Sequence, residues 1–202
     1  MKKINIICIL DMSGSMNSII EKARYGFNDF LKEQKNSGND INFTLMFFNT
    51  TFYVPYKNVP INEVKKLKED SYYAQGCTSL YDAIGISIDD YMDYLGDTPN
   101  EFRPDKTLFV ILTDGEENSS KIYHKDLIKL MVTQMREEFK CEFIYLGANQ
   151  DACYQAEIMG MDRSNAFNYE ATNDGITVAY SNISKATTYY ASNEVKNNLF
   201  QQ

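Results

Sequence analysis

Residues 4–16 have the sequence INIICILDMSGSM, an apolar run that ends on a carboxylate followed by two hydroxyls at alternate positions. The run is rich in isoleucine and lacks helical spacing, which predicts a strand buried on both faces. Asp11 then falls at the carboxyl end of that strand, where open α/β sheets bind their ligands. With Ser13 and Ser15 it offers one charged and two neutral oxygens from one tight loop, the ligand type that a hard cation such as Mg²⁺ prefers.

Two distant segments supply further oxygen ligands. Thr78 stands just before a helical pattern that starts at Ser79. Residues 107–115, TLFVILTDG, form a second buried-strand pattern that ends on Asp114. Because all three segments lie at the ends of strands or helices, the sequence predicts that their oxygens converge on one metal site.

At these positions the chain resembles the von Willebrand factor A (VWA) family, whose metal-ion-dependent adhesion site (MIDAS) consists of Asp-x-Ser-x-Ser, a distant Thr, and the Asp of a Thr-Asp-Gly turn. The matching residues are Asp11, Ser13, Ser15, Thr78 and Asp114. The resemblance implies that they hold Mg²⁺, with Ca²⁺ and Mn²⁺ as alternative ions, and that the ion engages an Asp or Glu of a protein partner. Residues 147–151 and 174–180 are similar to segments of compact, stand-alone bacterial VWA proteins, including the tellurite-resistance type.

Strand and helix patterns alternate along the rest of the chain. Strands are predicted over 4–11, 41–48, 51–56, 107–114, 142–146 and 163–168, and helices over 19–35, 60–67, 79–95, 127–139, 151–159 and 174–197. This order predicts an α/β fold with a doubly wound, mostly parallel six-stranded sheet and helices on both faces. The VWA resemblance implies the Rossmann-like strand order 3-2-1-4-5-6 with strand three antiparallel at one edge. The length fits a single domain over residues 1–202.

Charge and cysteine usage limit the partners and the compartment. The formal net charge of −8 disfavours nucleic acid and anionic membranes, so we expect a protein partner. The four cysteines show no Cys-x-x-Cys spacing, and we expect free thiols in a reducing compartment. The apolar run after Lys3 contains Asn5, ends at Asp11 and has no Ala-x-Ala cleavage site, so it is predicted to be a strand rather than a signal peptide. These features predict a cytoplasmic protein. The oligomeric state stays open.

Two other functions compete with a binding module. A metal-dependent phosphohydrolase would use Asp11 as nucleophile and a second carboxylate two residues later as general acid. That position is Ser13, so no nearby acid is available to protonate the leaving group. A scaffold with a purely structural metal is the other alternative. A serine hydrolase has little support, because the single histidine, His124, lacks a Gly-x-Ser-x-Gly elbow and is expected at the surface or at a helix cap.

Two surface features are also expected. Tyr72, Tyr73 and Tyr81 flank the Thr78 loop and are candidates for the rim of a protein-binding surface, with core packing as the alternative. Three lysines at 65, 66 and 68 are predicted to form the solvated face of the short helix over 60–67.

Overall fold

Six strands pair into one sheet within residues 2–192 and 199, the part of the chain that this computed structural model describes. Their spatial order is β3-β2-β1-β4-β5-β6, and every neighbouring pair is parallel except β2 and β3, which are antiparallel. The predicted α/β fold, strand order and antiparallel edge are therefore confirmed. The strands are β1 (Lys3–Asp11), β2 (Asp40–Phe48), β3 (Phe52–Pro60), β4 (Lys106–Thr113), β5 (Glu142–Ala148) and β6 (Ala166–Tyr169).

Helices cover both faces of the sheet, because successive residues of the buried central strands point to opposite sides. On β1, Ile6 and Cys8 join the core beneath α1 and α5, whereas Ile7 and Ile9 join the core beneath α2, α3 and α4. A strand buried on both faces therefore needs the near-continuous apolar run that opens the sequence. The helices are α1 (Ile20–Lys35), α2 (Leu80–Asp97), α3 (Lys125–Glu137), α4 (Ala152–Ile158) and α5 (Asn173–Ser192).

The β2–β3 hairpin forms the antiparallel edge of the sheet, as predicted. Its register shifts twice, between Phe43 and Leu45 and between Leu45 and Phe47. Asn58 adopts a left-handed backbone conformation, with φ of 51°, and its N–H donates to the Thr44 hydroxyl at 2.9 Å. The edge strand is thus irregular rather than a flat row of backbone donors and acceptors.

The predicted helix over 60–67 is wrong. Ile61–Glu63 forms a single 3₁₀ turn, and the chain then runs without regular structure towards α2. Side chains of other elements satisfy its backbone instead: the Asn28 amide accepts from Leu67 N–H at 2.7 Å and donates to Leu67 C=O at 3.0 Å, and the Lys35 ammonium donates to Val64 C=O at 2.6 Å. These bonds and the burial of Val64 and Leu67 outweigh the local helical pattern.

Smaller differences concern the end of the chain. Arg163–Asn165 forms a 3₁₀ turn capped by Asp162, so β6 begins three residues later than predicted. Helix α5 is observed through Ser192, and the predicted end at residue 197 lies outside the described residues. His124 caps α3 by accepting from Leu127 N–H at 3.3 Å, which confirms its predicted capping role.

None of the helices in the described part of the chain is long and apolar enough to cross a membrane.

Candidate metal centre

Asp11 is the last residue of the strand at the middle of the sheet, between β2 and β4, and its side chain is fully buried. Both carboxylate oxygens accept hydrogen bonds: Oδ1 from Ser13 N–H at 2.6 Å and Oδ2 from the Thr113 hydroxyl at 2.6 Å. The orientation of the carboxylate is therefore fixed by its own loop and by the neighbouring strand.

A chain of side-chain contacts links the first loop to the end of β4. The hydroxyls of Ser13 and Ser15 lie 3.0 Å apart. The Ser15 hydroxyl then donates to Asp114 Oδ1 at 2.6 Å. Three of the five predicted metal ligands thus contact one another in sequence, although 99 residues separate Ser15 from Asp114.

Thr78 faces the same small space. A Cβ atom built on Gly115 would lie 3.4 Å from the Ser15 hydroxyl oxygen and 3.4 Å from the Thr78 hydroxyl oxygen. Both hydroxyls therefore border the volume that a side chain at position 115 would occupy. The glycine after Asp114 keeps that volume open to a ligand atom.

Backbone hydrogen bonds tie the first loop to the second. Gln75 N–H donates to Met12 C=O at 2.8 Å, and Gly14 N–H donates to Gly76 C=O at 2.9 Å. Gly76 has a φ of 78°, in the left-handed region that glycine adopts without strain. The loop that contains Thr78 is thus positioned by the loop that contains Ser13 and Ser15.

The loop after β4 also forms hydrogen bonds with the Thr78 segment. Asn118 and Ser119 donate their backbone N–H groups to Thr78 C=O at 3.0 and 3.2 Å. The Asn118 side chain accepts from Thr78 N–H at 2.9 Å. Because both backbone groups of Thr78 are bonded to this loop, the placement of the Thr78 hydroxyl depends on Asn118.

The turn after β5 supports the third loop. The Asn149 side chain donates to Asp114 C=O at 3.2 Å, and the Gln150 side chain donates to Gly115 C=O at 3.1 Å. Asn149 adopts a φ of 57°, a conformation that asparagine tolerates better than most residues. The turn after β5 therefore lies at the same edge of the sheet as Asp114.

Two carboxylates that the sequence did not single out hold the α2 end of the site. The Glu117 side chain accepts from Tyr81 N–H at 2.9 Å, which caps α2 from outside the helix. The buried Asp82 side chain accepts from the backbone N–H groups of residues 121–123 at 2.8 to 2.9 Å. Neither residue belongs to a periodic pattern or to a motif, so no feature of the sequence identifies them.

The three tyrosines near the Thr78 loop have different environments. Tyr72 is buried, and its hydroxyl donates to Asp11 C=O at 2.5 Å. Its expected place at an exposed rim is therefore wrong, and the alternative of core packing holds. Tyr73 is exposed and Tyr81 is half-buried, so these two remain available to the surface.

Electrostatics at the site reflect two acidic groups in a buried environment. Burial raises the pKa of Asp11 to about 6, against the opposing effect of the hydrogen bonds from Thr113 and Ser13, and nearby Asp114 raises it further. Burial also raises the pKa of Asp114, and the Ser15 hydroxyl partly offsets this effect. Since both pKa values are raised, the metal-free site disfavours the charged forms, and a bound cation would favour them.

The candidate metal ligands are all oxygen atoms. In residues 2–192 and 199 no three His, Cys, Asp or Glu side chains form a metal-binding group. The site described above has two carboxylates and three hydroxyls, and no nitrogen or sulfur ligand. Such an all-oxygen set fits a hard divalent cation rather than a soft transition metal.

Known structures share this fold at low sequence identity. The pilus adhesin SpaC from Lactobacillus rhamnosus GG matches with a TM-score of 0.69 and 16% identity, over 93% of this chain and 31% of that one. Proximal thread matrix protein 1 from the mussel byssus, in a form with a zinc-occupied MIDAS motif, matches with a TM-score of 0.64 and 14% identity, over 93% of this chain and 46% of that one. A mutant of the PilB minor pilin from Streptococcus sanguinis matches with a TM-score of 0.63 and 13% identity, over 93% of this chain and 62% of that one.

These similarities establish the fold. The chain spans less than two thirds of the length of each of these proteins. No protein-family model and no curated protein matches the sequence.

Proposed function

We propose that the chain is a metal-ion-dependent protein-binding module of the VWA type, which holds Mg²⁺ between Asp11, Ser13, Ser15, Thr78 and Asp114. The observation that supports this most directly is the contact chain from Ser13 through Ser15 to Asp114, with Thr78 bordering the same space in front of a glycine. Ca²⁺ and Mn²⁺ are alternatives with the same preference for oxygen. The zinc-occupied MIDAS motif of the mussel protein supports a divalent ion at this place in the fold.

The residues of the site would have different roles towards a bound ion. Asp11 has both oxygens engaged by Ser13 and Thr113, so it is oriented to hold the water bound to an ion rather than to contact the ion directly. The hydroxyls of Ser13, Ser15 and Thr78 are neutral ligands. If Asp114, like Asp11, acts through water, the ion would contact three neutral hydroxyls, and it would keep a net attraction for an Asp or Glu of a protein partner.

Binding is favoured over phosphate-ester hydrolysis. The residue two positions after Asp11 is Ser13, whose hydroxyl contacts Ser15, so no carboxylic acid stands there to protonate a leaving group. The matched structures include a byssus matrix protein, a minor pilin and a pilus adhesin. We further infer a bacterial protein of the cytoplasm; its four cysteines are free, which fits a reducing compartment.

Titration calorimetry with MgCl₂ tests the metal centre. Ser15→Ala removes one ligand and the hydrogen bond to Asp114, and we expect at least tenfold weaker Mg²⁺ binding. Ser18→Ala is the matched control, because Ser18 is exposed and lies with Ser15 in the 3₁₀ turn Gly14–Ser18. Equal Mg²⁺ affinity of the two variants, or no Mg²⁺ binding by the wild type, contradicts the proposal.

Peptide selection tests the binding function. A display library of random 12-residue peptides is selected on the wild-type protein in Mg²⁺ and eluted with EDTA. We expect enrichment of Asp or Glu at one position. Eluted peptides without such a position would contradict carboxylate recognition and favour a structural metal, and turnover of p-nitrophenyl phosphate that depends on Mg²⁺ and Asp11 would favour the hydrolase.

A further inference from the structure

A groove of about 260 Å³ runs between the edge strand β3 and the irregular segment that follows it. Tyr53 and Tyr56 line it from β3, and Lys65, Lys66 and Lys68 line it from the segment. No Asp or Glu is among its lining residues. We call these five residues and the space between them the lysine groove.

The walls of the lysine groove are fixed in place. The Tyr56 hydroxyl accepts from Lys65 N–H at 3.1 Å, which joins the two walls at one end. The hydrogen bonds of Asn28 to Leu67 hold the segment from behind. The groove is therefore a built feature of the surface, and a ligand would not have to order the backbone that forms it.

Its charge contrasts with that of the whole protein. The side chains of Lys65, Lys66 and Lys68 are exposed, and in the described part of the chain none of them forms an ion pair, whereas Lys57 on the same strand edge is paired with Asp90 at 2.8 Å. Three unpaired lysines therefore line one wall of the groove with no carboxylate in the lining, and the exposed Glu63, Glu69 and Asp70 stand at the two ends of the segment, outside the groove. The groove lining would therefore attract an anionic ligand on a protein whose net charge is −8.

The groove is close to the candidate metal centre. Tyr53 pairs with Phe47, and Phe47 pairs with Leu10, the residue before Asp11. Two strand spacings place Tyr53 roughly 10 Å from Leu10. The Phe47 ring stacks on the Tyr53 ring and on the Tyr72 ring, with centroid distances of 6.3 and 5.0 Å, and the Tyr72 hydroxyl contacts Asp11 C=O.

We propose that the lysine groove binds an acidic segment of the same partner whose carboxylate reaches the metal centre. The inference rests on the proposed function. An extended peptide advances about 3.3 Å per residue, so roughly three residues connect the metal-bound carboxylate to Tyr53. About three more residues reach the lysines beside Tyr56. The partner motif therefore has one Asp or Glu at the ion and a second acidic cluster about four to seven residues away.

An apolar or aromatic residue is expected between the two acidic positions. Tyr53 is 60% exposed and its ring is backed by Phe47, so it offers a rigid aromatic surface at the entrance of the groove. Tyrosine in this role supplies contact area at low conformational cost.

The peptide selection described above, repeated on a charge variant, tests this inference. The triple variant Lys65→Ser, Lys66→Ser, Lys68→Ser is compared with a control variant that removes three exposed lysines elsewhere. The control is Lys32→Ser, Lys125→Ser, Lys129→Ser, which makes the same change in net charge. We expect the wild type and the control to enrich a second acidic cluster four to seven residues from the Mg²⁺-dependent acid, and the groove variant to lose it while keeping that acid.

Affinities of one synthesised peptide from the selection make the result quantitative. We expect the groove variant to bind it at least tenfold more weakly than the control variant in 50 mM NaCl, with a smaller difference in 0.5 M NaCl because salt screens exposed charges. Replacement of the second acidic cluster by serine should weaken binding to the control variant and leave binding to the groove variant unchanged.

The contrary outcomes are separable. If no Mg²⁺-dependent acid is enriched on the wild type, the proposed function is wrong and the groove proposal falls with it. If that acid is enriched but no second cluster appears, or the cluster persists on the groove variant, the groove proposal alone is wrong. Binding of a 20-nucleotide oligo-dT that the groove variant loses would assign the groove to nucleic acid and overturn the proposal.

Discussion

Replacement of Asp11 by asparagine should have opposite effects in the absence and presence of metal. Burial raises the pKa of Asp11 from 3.8 to about 6 in the folded protein. A raised carboxyl pKa gives stability that is fully present below the unfolded pKa, near 4, and is lost as pH rises through about 6. The loss amounts to about 3 kcal/mol at neutral pH for the metal-free protein.

The asparagine that replaces Asp11 has no charge to bury, and its amide can still accept from Ser13 N–H and contact the Thr113 hydroxyl. We therefore expect Asp11→Asn to be up to about 3 kcal/mol more stable than wild type in EDTA at pH 7.5 and about equal at pH 4. With Mg²⁺ a hundredfold above its dissociation constant, the wild type should gain about 2.7 kcal/mol and the variant much less.

Urea unfolding at pH 4, 5, 6 and 7.5, in EDTA and in MgCl₂, measures these differences. Asp93→Asn is the control, since Asp93 is exposed on α2 and loses the same charge. The reasoning is refuted if Asp11→Asn is less stable than wild type in EDTA at pH 7.5, or if both respond equally to Mg²⁺.

Three further substitutions probe the same centre. Gly115→Ala should lower Mg²⁺ affinity, since its methyl would touch the hydroxyl oxygens of Ser15 and Thr78 at 3.4 Å. Gly96→Ala, whose methyl meets nothing within 4 Å, should leave Mg²⁺ affinity unchanged, and equal calorimetric affinities of the two variants would contradict this. Thr78→Ala should weaken binding of a selected acidic peptide more than binding of Mg²⁺, because we propose that the Thr78 hydroxyl contacts the ion chiefly when a partner carboxylate is bound; calorimetry showing the reverse order would contradict this role. Tyr72→Phe should cost about 1 kcal/mol in urea unfolding, because Asp11 C=O loses a buried donor, with Mg²⁺ affinity changed less than twofold; a tenfold loss of affinity contradicts this.

The sequence predicts the parts of this fold that depend on apolar patterns. Buried strands such as β1 and β4 need apolar residues on both faces, and their runs end at Asp11 and Thr113, next to the candidate ligands. The predicted helix over 79–95 is observed as α2, and the residues that recur on it at helical spacing from Leu80 to Leu95 are buried. These features are local in sequence, and the tertiary structure reinforces them.

The features that the sequence does not predict depend on contacts between distant residues. The segment over 60–67 has a helical pattern, but Asn28 and Lys35 bind its backbone in an irregular conformation. From the sequence, Tyr72 is a candidate for the surface. In the structure its ring stacks on Phe47 and its hydroxyl donates to Asp11 C=O. Such pairings are separated by 25 to 61 residues, and local propensity contains no information about them.

The two prolines of β3 limit the backbone hydrogen bonds that a binding partner can form with this edge of the sheet. Pro55 and Pro60 offer no backbone N–H, and the two register shifts interrupt what remains, so an added strand would find an incomplete ladder. Strand addition depends on the main chain and tolerates many sequences. A partner that lies along this edge must instead be recognised by its side chains, so substitutions in its motif should be matched over evolutionary time by substitutions at Tyr53 and the lysines.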